Sequence, residues 1–190
     1  MTTQDQRNRS RRGSRLRAAG WGFAAFLLLL PFVAMQVSDA VRWGAGDFVL
    51  FGAMLLIAGG VAELISRRSA NGFYRAGASV AVAAGFLLVW VNLAVGFLGS
   101  EDNPANLMFA GVIAVAIGGA FLSHFRPAGM VKAMIAAALS QALVGVVGLG
   151  AGLASPGAAG TYEVIMGTTL FGGLWLIAAG LFGEAARRSA

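Results

Sequence analysis

Apolar residues run along this chain in long unbroken blocks, not in alternation. LLLLPFVAM, FVLFGAMLLIAGG and FGGLWLIAAGLF show no period of two, so the strands of a membrane barrel, which alternate apolar and polar over about ten residues, are excluded. A hydrocarbon core about 30 Å thick is crossed by roughly 20 residues of helix. Six windows of that kind can be laid on the sequence: Ala18 to Val37, Asp47 to Ser66, Ala78 to Gly99, Asn106 to Phe125, Val131 to Ala154 and Tyr162 to Gly183. The segments between them, SDAVRWGAG, RRSANGFYRAG, SEDNPAN, RPAGM and SPGAAGT, hold the turn formers and charges that stop one helix and start the next. The pattern predicts an all-α fold, a polytopic integral membrane bundle of six transmembrane helices joined by short loops.

Charge turns that pattern into a topology. Arg7, Arg9, Arg11, Arg12, Arg15 and Arg17 precede the first window, Arg67, Arg68 and Arg75 follow the second, Arg126 and Lys132 follow the fourth, and Arg187 and Arg188 follow the sixth. With six spans all of these fall on one side. Arg42 alone joins Asp39, Asp47, Glu101, Asp102 and Glu163 on the other. The excess of Lys and Arg in cytoplasmic loops then places both termini in the cytoplasm. Residues 1–17 are expected to be a disordered basic tail attracted to anionic lipid at about 1 kcal/mol per basic residue, residues 18–183 the membrane domain, and residues 184–190 a second cytoplasmic tail. The start imitates a secretory signal, with SRRGSRLRAAG before an apolar centre and AMQVSDA after it. Because Ala18 to Val37 is long enough to span, it reads as an uncleaved anchor.

Composition narrows the chemistry. A hydrophobic content of 58%, with 12% charged residues and a mean hydropathy of +0.77, leaves too little polarity to clothe a water-soluble globule. A net charge of +6 raises the question of nucleic acid, but the basic residues form short clusters between apolar runs and no basic recognition face. The absence of cysteine and the single histidine exclude thiol catalysis, disulfides, cysteine-based zinc sites and multi-histidine metal centres. No metal and no cofactor is expected; the expected surroundings are the lipid bilayer, with self-association or another membrane protein as partner.

Lipid offers little hydrophobic gain for helix association, so contact rests on close packing of small residues and on hydrogen bonds between helices. Small residues four apart recur as Ala81 and Gly85, Ala114 and Gly118, Ala116 and Ala120, Gly148 and Gly152, and Ala179 and Gly183. Trp43 and Tyr162 at one boundary, with Trp21 and Tyr74 at the other, suit interfacial aromatics. A gap-free shift pairs Gly52 with Gly111, Gly59 with Gly118, Gly60 with Gly119 and Arg67 with Arg126. Three related hairpins would account for that, but the abundance of glycine and an arginine placed by topology are the simpler reading.

Polar candidates are few. In GSEDNPANLMF, Asn103 suits a helix N-cap, Pro104 the first helical position, and Glu101 and Asp102 the positive end of the helix dipole. The functional alternative has Glu101, Asp102, Asn103 and Asn106 converging as oxygen ligands for a cation or polar solute, although calcium takes six to eight oxygens. Asn92 is placed about two turns inside the outer end of the third helix and Gln141 deep in the fifth, where amides seek partners within the bundle. A cavity shared by Asn92, Gln141 and Trp90 and opening towards Glu101 and Asp102 would make the outer half a binding site. Glu63 precedes Arg67 by one turn, the favourable order for an ion pair. His124 is a solvated interfacial residue, and Thr168 and Thr169 can bond their own helix backbone. No phosphate loop, nucleophile elbow or HExxH motif is present.

The run WVNLAVGFLGSEDNPANLMF, Trp90 to Phe109, resembles one carried by a group of small, uncharacterised bacterial multi-pass membrane proteins. The resemblance covers helices two to six and implies a bacterial inner-membrane protein; it brings no activity, cofactor or site. Two functions are therefore expected: a non-enzymatic packing or accessory component of that membrane, or a small-solute or ion transporter using Asn92 and the Glu101/Asp102 loop. An enzyme is not expected, because nucleophile, base and metal ligands are not supplied together.

Overall fold

Helices are the only regular elements that satisfy every backbone group within one segment in lipid, and the described chain is built of them. The structure, a computed structural model, describes residues 3–37 and 42–189, with side chains from residue 18 onward. Its helices are α1 (Thr3–Val37), α2 (Ala45–Arg68), α3 (Gly72–Ala94), α4 (Met108–Leu122), α5 (Pro127–Gly150) and α6 (Ala158–Arg187), with a single 3-10 turn at Pro104–Leu107 before α4. Six are long and apolar enough to cross a membrane, the fourth span being counted from that turn, and no strand occurs among the described residues. The backbone of α1 continues through the basic tail, whose side chains, like Asp39, lie outside the described residues. The chain forms two compact units, residues 1–64 and residues 65–190.

In the first unit α1 and α2 pair through a glycine. A methyl group placed on Gly59 would sit 3.2 Å from the Trp21 ring, so the bare backbone makes the seat for that indole. Trp21 Nε1 then donates to Glu63 Oε2 at 3.1 Å. Glu63, expected beside Arg67, thus also ties the two helices of the hairpin together. At the other end Trp43 meets Phe48 and Phe51 edge-on, and Asp47 accepts from the Gly44 backbone N–H at 2.8 Å.

In the second unit α5 packs on both α4 and α6, and α3 closes on α6. The contacts are made by small residues. Gly119 of α4 lies against Ala133, Gly145 against Thr168, and Gly77 against Ala178 and Leu181. Ala116 and Ala120 are buried as their spacing predicts, whereas Ala114 is exposed and a methyl on Gly118 would meet nothing within 4 Å. Gly152 lies past the end of α5 with φ +65°, so its spacing from Gly148 is not a helical stripe. The proposed repeat does not carry into equivalent contacts: Gly59 and Gly52 meet neighbours where Gly118 and Gly111 meet none.

Both ends of α3 differ from the sequence reading, each for a local reason. The apolar pattern predicts a third span from Ala78 to Gly99, but α3 begins at Gly72, because Asn71 caps it by accepting from the N–H groups of Phe73 and Tyr74 at 3.0 and 3.2 Å. The same Asn71 donates to the carbonyl of Ala185, joining the start of α3 to the end of α6. It ends at Ala94, because Gly96 turns the chain with φ +73° and bonds back to Val91 at 3.1 Å. Asn92 therefore lies in the last turn of α3 and not two turns inside it. Between α4 and α5, His124 and Phe125 adopt φ of 50° and 57°, and the Tyr74 hydroxyl donates to the Phe125 carbonyl at 2.9 Å.

Candidate functional site

The segment after α3 is a hairpin folded around one amide. Asn106 Oδ1 accepts from the backbone N–H of Phe97 at 3.1 Å and of Leu98 at 3.0 Å, while Nδ2 donates to the Ser100 carbonyl at 2.7 Å. Those groups lie past the end of α3, where helix partners have run out. Asn103 caps the 3-10 turn by accepting from Ala105 N–H at 3.0 Å, with Pro104 at its first position. Ser155 donates to the Gly99 carbonyl at 3.0 Å, fastening the hairpin to the α5–α6 connection.

This polar frame aims two apolar side chains into the bundle. Leu98 is fully buried and seated on Gly148 of α5. Phe97 rests on Gly167 of α6 and packs against the Phe109 and Phe171 rings at 5.4 and 5.5 Å. The pair forms a plug at the acidic end of helices α3 to α6. Its signal in the sequence was hidden, because Phe97 and Leu98 look like the last residues of an apolar span.

The sequence candidates therefore separate. Glu101 and Asp102 are exposed on the outside of the plug, Asn103 is half-buried, and Asn106 is buried with its amide committed to the loop backbone. Asn92 is half-buried in the last turn of α3, its Nδ2 donating to the Leu88 carbonyl one turn back at 2.8 Å. Gln141 has no exposed surface at all. Trp90 is half-buried on α3. No group of three or more His, Cys, Asp or Glu side chains that could hold a metal occurs among the described residues.

The interior holds polar atoms that no protein group satisfies. They are Asn92 Oδ1, both amide atoms of Gln141, Thr168 Oγ1 and Trp175 Nε1. Thr168 can bond its own helix backbone but does not, and Trp175 is 2% exposed. Hydrocarbon offers such groups nothing in exchange. At the basic end, Asn71, Gly72, Phe73, Ala76, Leu181 and Arg188 line a shallow groove of about 490 Å³. Its charge is already engaged: Arg188 bonds Glu184 at 2.8 Å and stacks on the Phe73 ring at 4.3 Å, and Arg187 shares the same carboxylate. Comparison with protein-family models, with curated proteins and with solved structures finds no match to this chain.

Proposed function

We propose that the protein is a non-enzymatic packing component of a bacterial inner membrane, with both termini in the cytoplasm, that associates with a second copy of itself through α4. The observation that carries this reading is that α4 has two small-residue faces. One, with Ala116, Gly119 and Ala120, is used against α5 within the chain. The other, with Ala110, Gly111, Ala114 and Gly118, meets no side chain close enough to fill it. Small residues let helix backbones approach, which is where association energy in lipid comes from.

The segregation of charge supports the orientation. Arg67, Arg68, Arg75, Arg126, Lys132, Arg187 and Arg188 follow or precede helix ends on the side assigned to the cytoplasm, and Glu101, Asp102 and Glu163 on the other.

Because the chain lacks cysteine, single cysteines at Ala114, at Gly118 and at the exposed control position Leu139 of α5 test the association in native membranes. Oxidation is expected to give a dimer from the first two and not from the third. Crosslinking at Ala114 and Gly118 no stronger than at Leu139 removes α4 as the contact.

A further inference from the structure

The contacts between helices fix their register, and the register places two of the unsatisfied polar groups, Gln141 and Trp175, at one depth. On the pair α5–α6, Gly145 faces Thr168 and a methyl on Gly183 would lie 3.9 Å from Val131, so the two helices run antiparallel and Gln141 stands level with Gly172. On the pair α3–α6, Gly77 faces Ala178 and Leu181, and a methyl on Gly85 would lie 3.8 Å from Trp175 Cη2. The Trp175 ring thus reaches the level of Gly85 and Gly172, which is also that of Gln141. Thr168 lies one turn towards the acidic end, about 6 Å away along α6. Asn92, its side chain folded back towards Leu88, lies at about the level of Thr168.

We propose that the centre of the α3–α6 bundle is an occluded binding site for a small uncharged molecule that both donates and accepts hydrogen bonds, held by Gln141 and Trp175. This goes beyond the packing role and is independent of it. Gln141 brings two N–H donors and an acceptor, Trp175 a donor only, so a molecule that satisfies both must accept as well as donate. The ionised side chains at this end of the sequence, Glu101, Asp102 and Glu163, are exposed on the far side of the plug or on the outside of α6, and no acid or histidine cluster occurs among the described residues. The occupant is accordingly neutral.

Room for it is modest. Gln141 and Trp175 are 0% and 2% exposed, so the closed arrangement seals them, with Phe97 and Leu98 above. A methyl on Gly172 would meet nothing within 4 Å, and one on Gly85 nothing nearer than 3.6 Å. Gly85 and Gly172 are thus the positions at this level that carry no side chain, and a molecule between water and urea in size enters by displacing their neighbours.

The test uses the full chain in phospholipid bilayers, with solid-state magnetic resonance read at the Gln141 amide and the Trp175 indole. Gln141→Leu and Trp175→Phe assign the two signals by their loss. Magnetisation transfer from water alone identifies water as the occupant; transfer from added carbon-13 urea as well shows that a larger solute enters; both support the site. No transfer from either probe overturns it. Thermal unfolding in detergent gives a second reading of opposite sign for the two cases. If the amide is bonded to an occupant, Gln141→Leu lowers Tm by about 3 °C or more. If the amide is dry and unsatisfied, leucine raises Tm and the proposal fails. Should Gln141→Leu not fold, Gln141→Met, which keeps the length of the unbranched side chain and removes its amide, is read in the same way.

Discussion

Asn106 shows how much of this structure rests on single side chains. Its amide satisfies two backbone donors and one backbone acceptor at a point where α3 has ended and α4 has not begun. Replacing it with alanine leaves the buried N–H of Leu98 and the part-buried N–H of Phe97 without their partner, a buried unsatisfied group costing about 1–3 kcal/mol. Asn106→Ala is therefore expected to lower stability by roughly 2–4 kcal/mol, measured by thermal unfolding in detergent. Asn103→Ala removes one exposed-side cap and is expected to cost about 1 kcal/mol. The capping role of Asn103 and Pro104 was legible because caps follow local rules of spacing. The role of Asn106 was not, because its partners lie eight and nine residues back and are chosen by the fold of the loop. Glu101 and Asp102 drew attention as a concentration of polarity; the two asparagines beside them do the holding.

At the scale of elements, the six spans were readable because they answer to the solvent alone: a run of apolar residues long enough for the bilayer becomes a helix whatever it packs against. Their ends answer to particular caps. Asn71 extended α3 at one end and Gly96 cut it short at the other, which moved Asn92 into the last turn and turned Phe97 and Leu98 into a plug. Which glycines matter was also hidden, since spacing identifies stripes but not what faces them. The structure separates them into two classes with different outcomes. Gly145→Ala drives a methyl into Thr168 and Gly119→Ala drives one to 2.7 Å from Ala133 Cβ; overpacking of this kind is expected to cost about 1–3 kcal/mol. Gly180→Ala meets nothing within 4 Å and is expected to stay within about 0.5 kcal/mol of the parent. Unfolding midpoints of the three variants in one detergent check the contrast.

For the molecule as a whole, the sequence pointed to the right solvent and the right number of helices, and it pointed to two amides, Gln141, which is fully buried, and Asn92, which is half-buried in the last turn of α3. It joined them to the loop at the acidic end. The binding site imagined from spacing opened towards Glu101 and Asp102, whereas Phe97 and Leu98 stand between that loop and the interior. The inner polar group that spacing missed is Trp175, whose distance from Gln141 along the chain gives no hint that antiparallel packing brings them to one level. Everything in this account, from the two-faced α4 to the sealed polar centre, presumes that the helices cross a bilayer with the basic ends together in the cytoplasm. The most direct test places single cysteines at Glu101 and at Arg187 of the cysteine-free chain and treats intact spheroplasts with a membrane-impermeant maleimide. The account predicts that position 101 is labelled at once and position 187 only after lysis; labelling of both from the same side contradicts it.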